Sequence, residues 1–325
     1  MEDGEMNKTV MMGMVVLGVC VLSVNADTVA YWRFESGPVN TDVIHTGGVA
    51  GQYSTDIPDV SGNGYDLSVW ETGGNAGYGY RSDVGYSTVP STGAANNLSV
   101  KNTGGGPAMW TDTNDAINSI TPAAFTIEAS FKLENGGFRT ILGRDSQGSV
   151  LYDGHGQEAD LAALYFQAMP DNALAIKYCD VDGYWHEAIS ATNIFTGFDW
   201  GSNPDGIGVP WYSMAAVSDG ATLSLYLIEI GVSGWQLIAQ TDLTASGSTN
   251  TALTAGIGDG GDWDAGNWTV GRGLFGGGHV DRGYGYIDEV RISDAALTTS
   301  EFLVPEPATI ALLGLGVLVV RRRIG

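Results

Sequence analysis

Cysteine is almost missing from this chain: among 325 residues only Cys20 and Cys179 carry thiols. Cys20 lies in an N-terminal apolar run, so a body freed of that run keeps one thiol and no intramolecular disulfide. Cys179 falls within the strand-like ALAIKYC, where a lone cysteine is ordinarily a small buried hydrophobe. Positive charge is scarce as well, with 14 Lys and Arg against 37 Asp and Glu and a net charge of −23. The surplus sits between Asp27 and Val304, and an acidic body repels phosphate backbones. Nucleic acid is thereby excluded as a partner, while divalent cations and neutral or weakly charged sugars suit it. Recognisable catalytic motifs are lacking too. His45, His155, His186 and His279 are scattered, with no His-Glu-x-x-His and no Gly-x-Ser-x-Gly. The Gly-rich stretch from Gly271 precedes no helix and reads as a loop, so no phosphate or dinucleotide cradle is signalled.

What the chain has in abundance is glycine, at 48 residues, together with nine Trp and 14 Tyr. That mixture argues against disorder and for short strands joined by Gly-rich turns. In FTIEASFKL, Phe125, Ile127, Ala129, Phe131 and Leu133 share one face, while Thr126, Glu128, Ser130 and Lys132 share the other. Similar segments recur along the body: VAYWRFE, YDLSVW, RTILGR, LAALYFQA, LAIKYC, WHEAI, WYSMAAVS, TLSLYLIE, WQLIAQ, NWTVGR and YGYIDEVRI. Gly, Asn, Asp or Pro clusters separate them. Helix is expected only as a short turn in SDAALTTSEFL, capped by Ser293 or Asp294. The fold class is therefore all-β, a two-sheet antiparallel sandwich. Residues 71–114, rich in Gly, Ser and Tyr, read as an insertion of surface loops.

The two ends read as addresses. An apolar stretch from Val10 to Val24 ends in Val24-Asn25-Ala26, whose small residues mark a signal-peptidase site before Asp27. The acidic prefix is wrong for a signal n-region, so Met6 is the better start. At the other end, Ala308–Val320 is an apolar run whose helix would rise about 20 Å, short of the roughly 30 Å hydrocarbon core. Pro305-Glu306-Pro307 precedes it, and Arg321, Arg322 and Arg323 follow it. Prolines hold such an entry extended, and arginines snorkel to one membrane face. This order of parts resembles the PEP-CTERM sorting signal of Gram-negative surface proteins. The resemblance implies recognition by an exosortase, cleavage near the triplet, and only transient residence of the tail in the inner membrane. The expected organisation is a signal peptide at 1–26, a sandwich at 27–303 and a sorting tail at 304–325.

Four stretches carry a second resemblance. They are Ala30-Tyr31-Trp32-Arg33-Phe34-Glu35, the loop from Asp59 to Leu67, the strand Phe125–Leu133, and Gly285-Tyr286-Ile287-Asp288-Glu289-Val290-Arg291-Ile292. Together they resemble LamG-like, concanavalin A-like jelly-roll domains of secreted bacterial proteins. Glucanases of that broad fold use a Glu-x-Asp-x-x-Glu strand. Nothing here has that spacing, since Glu158-Ala159-Asp160 continues as Leu-Ala-Ala.

Counting by twos from Tyr284 places Tyr286, Asp288, Val290 and Ile292 on one face, and a carboxylate there is costly unless paired or metal-bound. Asp59 opens a Ser-Gly-Asn-Gly turn whose oxygens suit a hard cation. Related domains carry a structural Ca²⁺ where the opening and closing strands meet. The candidate calcium shell is Glu35, Asp59, Asn63 and Asp288. In the alternative, Asp59 and Asn63 only form a turn and Asp288 pairs with Arg33 or Arg291. The acidic loops Asp180–Gly183 and Asp259–Trp268 lack calcium-loop spacing and read as solvated turns. For a sugar ligand, the loop aromatics Trp200, Trp263 and Trp268, with Tyr78, Tyr80 and Tyr86, offer flat apolar faces beside polar acceptors. They could equally plug the ends of the sandwich. The expectation is an exported, non-enzymatic protein that binds polysaccharide or glycan, with a glycan-cleaving enzyme or a purely structural matrix component as alternatives.

Overall fold

A computed structural model describes residues 28–43, 53–70, 77–103, 109–112, 114–145, 162–232, 234–256, 266–275 and 278–305. The strands are β1 (Thr28–Trp32), β2 (Tyr53–Ile57), β3 (Leu67–Trp70), β4 (Tyr78–Arg81), β5 (Ser99–Asn102) and β6 (Met109–Thr111). Next come β7 (Phe125–Leu133), β8 (Arg139–Arg144), β9 (Leu164–Met169), β10 (Ala173–Cys179), β11 (Trp185–Ile189) and β12 (Tyr212–Ser218). The last are β13 (Thr222–Glu229), β14 (Gln236–Asp242), β15 (Trp268–Val270), β16 (Gly273–Phe275), β17 (Gly278–Val280) and β18 (Gly285–Ser293). One sheet runs β14-β13-β12-β7-β18-β5-β4, with β1 added alongside β18; the other runs β11-β10-β9-β8-β15-β6-β3-β2. All of these ladders are antiparallel. The result is a two-sheet jelly-roll-like sandwich.

The alternation of β7 delivers its apolar face to the core. Phe125, Ile127, Ala129, Phe131 and Leu133 pack there with Val100, Ile141, Phe166, Ile176, Met214 and Leu225. The opposite face is buried as well: Thr126, Glu128, Ser130 and Lys132 are all under 5 % exposed. Two coverings seal it. One is the stretch Asp83–Leu98, and the other is the segment Asp294–Pro305 that follows β18. Period two thus predicted the inner face, but remote parts of the chain roof the outer one.

Three expectations are corrected. Residues 71–114 contribute β4, β5 and β6 rather than only surface loops, and Tyr78 and Tyr80 are core residues at 1 % and 4 % exposure. The short turn expected after β18 lies at Thr298–Glu301 rather than at Ser293 or Asp294. In it Glu301 N–H donates to the Thr298 carbonyl and the Glu301 carboxylate accepts from Thr298. Counting by twos also fails through β18. Its register against β7 shifts between Asp288 and Arg291, and Glu289 takes a left-handed φ of 50°. The bulge puts Val290 and Ile292 in the core with Ile287, while Asp288 stands opposite Ser130 on the outer face. Ala26, Trp263, Glu306, Pro307 and Arg321–Arg323 lie outside the described residues. Among the described residues no helix is long and apolar enough to cross a membrane.

Candidate functional site

At the Leu133 end of β7, three connections meet: the β7–β8 turn, the loop between β11 and β12, and the entry to β18. Backbone bonds lock them together. Asn135 N–H donates to Phe198 O (2.8 Å), Phe198 N–H to Leu133 O (3.2 Å) and Glu134 N–H to Tyr284 O (3.4 Å). The approach is close enough that a Cβ on Gly197 would come within 2.7 Å of the Glu134 carbonyl oxygen.

These connections gather an aromatic cluster around two lysines. Phe198, Trp211 and Tyr286 are buried beneath half-buried Trp200. Trp200 stacks on Phe198 at 6.0 Å and meets Tyr284 edge-on at 5.7 Å. Lys101 Nζ lies 5.4 Å from the Trp200 ring centroid and 5.3 Å from that of Tyr286, which Lys132 Nζ approaches at 4.8 Å. Each ammonium is also paired: Lys101 with Asp205 at 2.8 Å, Lys132 with Asp83 at 2.5 Å. Trp211 Nε1 donates to the other Asp83 oxygen at 2.8 Å. Burial lifts the Tyr286 hydroxyl to about 12, whereas Lys101 holds the Asp205 carboxyl below its ordinary value.

The rim is polar and partly open. Arg139 lies 5.0 Å from the Tyr284 ring centroid and 3.3 Å from Glu134, and Phe138 beside it is 45 % exposed. Burial raises the Glu134 carboxyl, with Arg139 opposing and Asp199 adding to the rise. Asp199, by contrast, is held low by hydrogen bonds from Ser202 and Gly201. Half-exposed rings beside donors and acceptors can take the apolar face of a sugar and its hydroxyls together.

The other expected site residues are placed differently. Trp268 is in β15, 2 % exposed, with Arg144 at 5.1 Å from its ring, so it fills the sandwich and offers no platform. The four expected calcium ligands fall into two hydrogen-bond networks. Asp59 accepts from Tyr31 N, Ser61 N, Ser61 Oγ and Tyr65 N, which occupies both its oxygens as a turn clasp. Asn63 Nδ2 donates to the Thr28 and Val29 carbonyls. Elsewhere, Glu35 accepts from Asn97 and Leu98, and Asp288 accepts from Asn96 Nδ2 and Glu289 N. Among the described residues no three His, Cys, Asp or Glu are gathered at one point, Glu35, Asp59 and Asp288 included. The arginines expected for Asp288 go to its neighbours: Arg33 pairs with Glu289 at 2.9 Å, and Arg291 Nε donates to Glu128 at 2.6 Å. Burial and the adjacent Glu289 push the Asp288 carboxyl well above its ordinary value. In the acidic turn Asp180–Gly183, Val181 and Asp182 are exposed as expected, whereas Asp180 is buried and bonds His186 Nε2 at 2.7 Å.

Of these rim residues the sequence singles out Trp200, and not Tyr284, Arg139 or Glu134. The aromatic repeat of Tyr284 and Tyr286 and the lone Lys132 in FTIEASFKL were the available signals.

Comparison with known proteins adds one family match, described as the PEP-CTERM protein-sorting motif, over residues 303–323. The C-terminus thus carries that sorting motif, which implies export and surface sorting. No curated protein matches. Among solved structures, the sandwich is similar to the CBM40 of Ruminococcus gnavus IT-sialidase bound to α2,3-sialyllactose. That likeness has 13 % identity and a TM-score of 0.39, covering 59 % of this chain and 86 % of that one. It is also similar to the botulinum neurotoxin serotype D binding domain, at 10 % identity and a TM-score of 0.40, covering 89 % and 51 %. At such identities the likeness concerns fold alone.

Proposed function

We propose that this chain is an exported, non-enzymatic surface or matrix protein that binds a neutral polysaccharide at the Trp200–Tyr284 rim, its C-terminal tail being cut by an exosortase. The sorting motif supports the destination. The observation that carries the binding reading is the half-exposed Trp200 ring, backed by Phe198, edged by Tyr284 and flanked by Arg139, Glu134 and Asp199. An indole fixed in this way loses little side-chain freedom when a sugar ring stacks on it. The acidic body disfavours polyanionic glycans. Polysaccharide pull-down and glycan-array binding by residues 27–305 test the reading. Retention that Trp200→Ala reduces at least tenfold is expected. No retention with or without Ca²⁺ sinks it.

A second reading has one observation behind it. Glu134 is raised while Asp199 is lowered, beside the same aromatic rim. Carboxylates pushed apart in this way are what an acid and its ionised partner require for glycan cleavage. Reducing-end release from a retained polysaccharide, abolished by Glu134→Gln, would favour this second reading over simple binding.

A further inference from the structure

The segment Asp294–Pro305 is a strap across the outer face of the sheet, and its last residues are built into the body. Leu297 N–H donates to Thr126 Oγ1 at 2.9 Å, and Thr126 Oγ1 donates to the Ala295 carbonyl at 2.7 Å. Phe302 is fully buried, edge-on to Trp235 at 5.0 Å and Tyr226 at 5.8 Å. Leu303 packs with Tyr31, Val89 and Tyr86. Its N–H donates to the buried Glu128 carboxylate at 2.6 Å, and its carbonyl accepts from Ser91 N–H at 3.1 Å. The Val304 carbonyl accepts from Trp235 Nε1 at 2.6 Å, and Pro305 is buried behind it.

The sorting motif begins at residue 303, so motif and fold overlap. That overlap constrains processing. A peptidase must seat its substrate extended and polarise the scissile carbonyl with its own donors. At Leu303 both backbone groups are committed to the body. At Val304 the carbonyl that an attack would polarise is held by the Trp235 indole. Val304 has the last carbonyl the described body holds.

We infer that the processing site lies at the Pro305–Glu306 bond or C-terminal to it, and that the mature protein keeps Leu303–Pro305 as the plug of its own sheet face. In the cut, the peptide C–N bond breaks; water supplies hydroxyl to the new carboxyl terminus and a proton to the amine of the released tail. The triplet therefore follows the packed strap directly in the chain, and its first residue, Pro305, is itself buried. This inference rests on the processing reading above.

The experiment is intact-mass and C-terminal peptide analysis of the exported protein, expressed full length in a cell carrying its exosortase. The expected terminus is Pro305 or a later residue ahead of Arg321, with Leu303 and Val304 retained. A terminus at or before Val304 overturns the inference alone and leaves exosortase processing standing. Extracellular protein that still carries Arg321–Arg323 overturns both.

Discussion

On β7, Glu128 and Lys132 point to the same outer face but meet opposite surroundings. Around Glu128 the strap closes completely: Arg291, the Leu303 N–H and the neighbouring Tyr31–Glu289–Arg33 network satisfy charge in a place water does not reach. Around Lys132 the roof is aromatic, and it stops at half-buried Trp200 and Tyr284 with a largely exposed Asp205 at its edge. One half of the face spends its polar groups on holding the chain's end in place. The other leaves rings and hydrogen-bonding groups at a rim where a ligand can reach them.

The contrast is most directly broken by removing one cation from each half. Arg291→Met strands a buried carboxylate that desolvation already raises, and should cost about 3–5 kcal/mol in urea unfolding. Arg139→Met removes the partner of Glu134 at a partly exposed pair and should cost under about 1 kcal/mol. Equal losses would mean that the two halves are not energetically distinct. The plug itself is tested by Phe302→Ala, which empties a fully buried site against Trp235 and Tyr226. A loss of about 3 kcal/mol is expected, and a loss below 1 kcal/mol would show that the strap is only loosely docked.

On the open side the comparison sharpens in binding rather than stability. Trp200→Ala should weaken polysaccharide retention at least tenfold, about 1.4 kcal/mol. Its melting transition should move by only a few degrees, since the ring is packed on one side. Matching losses of stability and retention would reclassify Trp200 as structural.

How much of this was legible in the sequence follows from the range of each interaction. The inner face of β7 was readable because alternation is local. The burial of Glu128 and Lys132 was not, because Leu303 and Asp83, which cover them, are remote along the chain. Trp268 was misread as a loop platform although NWTVGR already had strand character, and alternation would set Trp268 beside Val270 on the inner side. Trp200 was legible from its polar loop. Tyr284, which meets its ring, and Arg139, which lies over Tyr284, come from separate parts of the chain that only the folded ladders bring together. Asp288 was placed on the wrong face because β18 bulges at Glu289, a non-glycine residue with positive φ that leaves no mark in the local composition.

The smallest expected effect concerns that same Asp288, and it separates the sealed half from the open one by pH. Its folded carboxyl titrates above the unfolded value because burial and Glu289 oppose its charge, with Asn96 Nδ2 and the Glu289 N–H only partly compensating. The folded state therefore binds this proton more tightly than the unfolded state does. The sign follows: Asp288 favours folding most at low pH, and that contribution is lost as pH rises from the ordinary carboxylate range toward the raised folded value. Glu128 and Glu289 are shifted the same way and add to the slope. Exposed Asp199 on the open side is shifted downward, so its contribution changes only below the ordinary carboxylate range and leaves the slope at higher pH untouched. Asp288→Asn keeps the shape and accepts the Glu289 N–H while removing the titration. Melting temperatures between pH 5 and pH 8 should then fall less steeply with pH in the variant than in the parent, with the two curves drawing together at the acid end. Parallel curves would place Asp288 outside the sealed network.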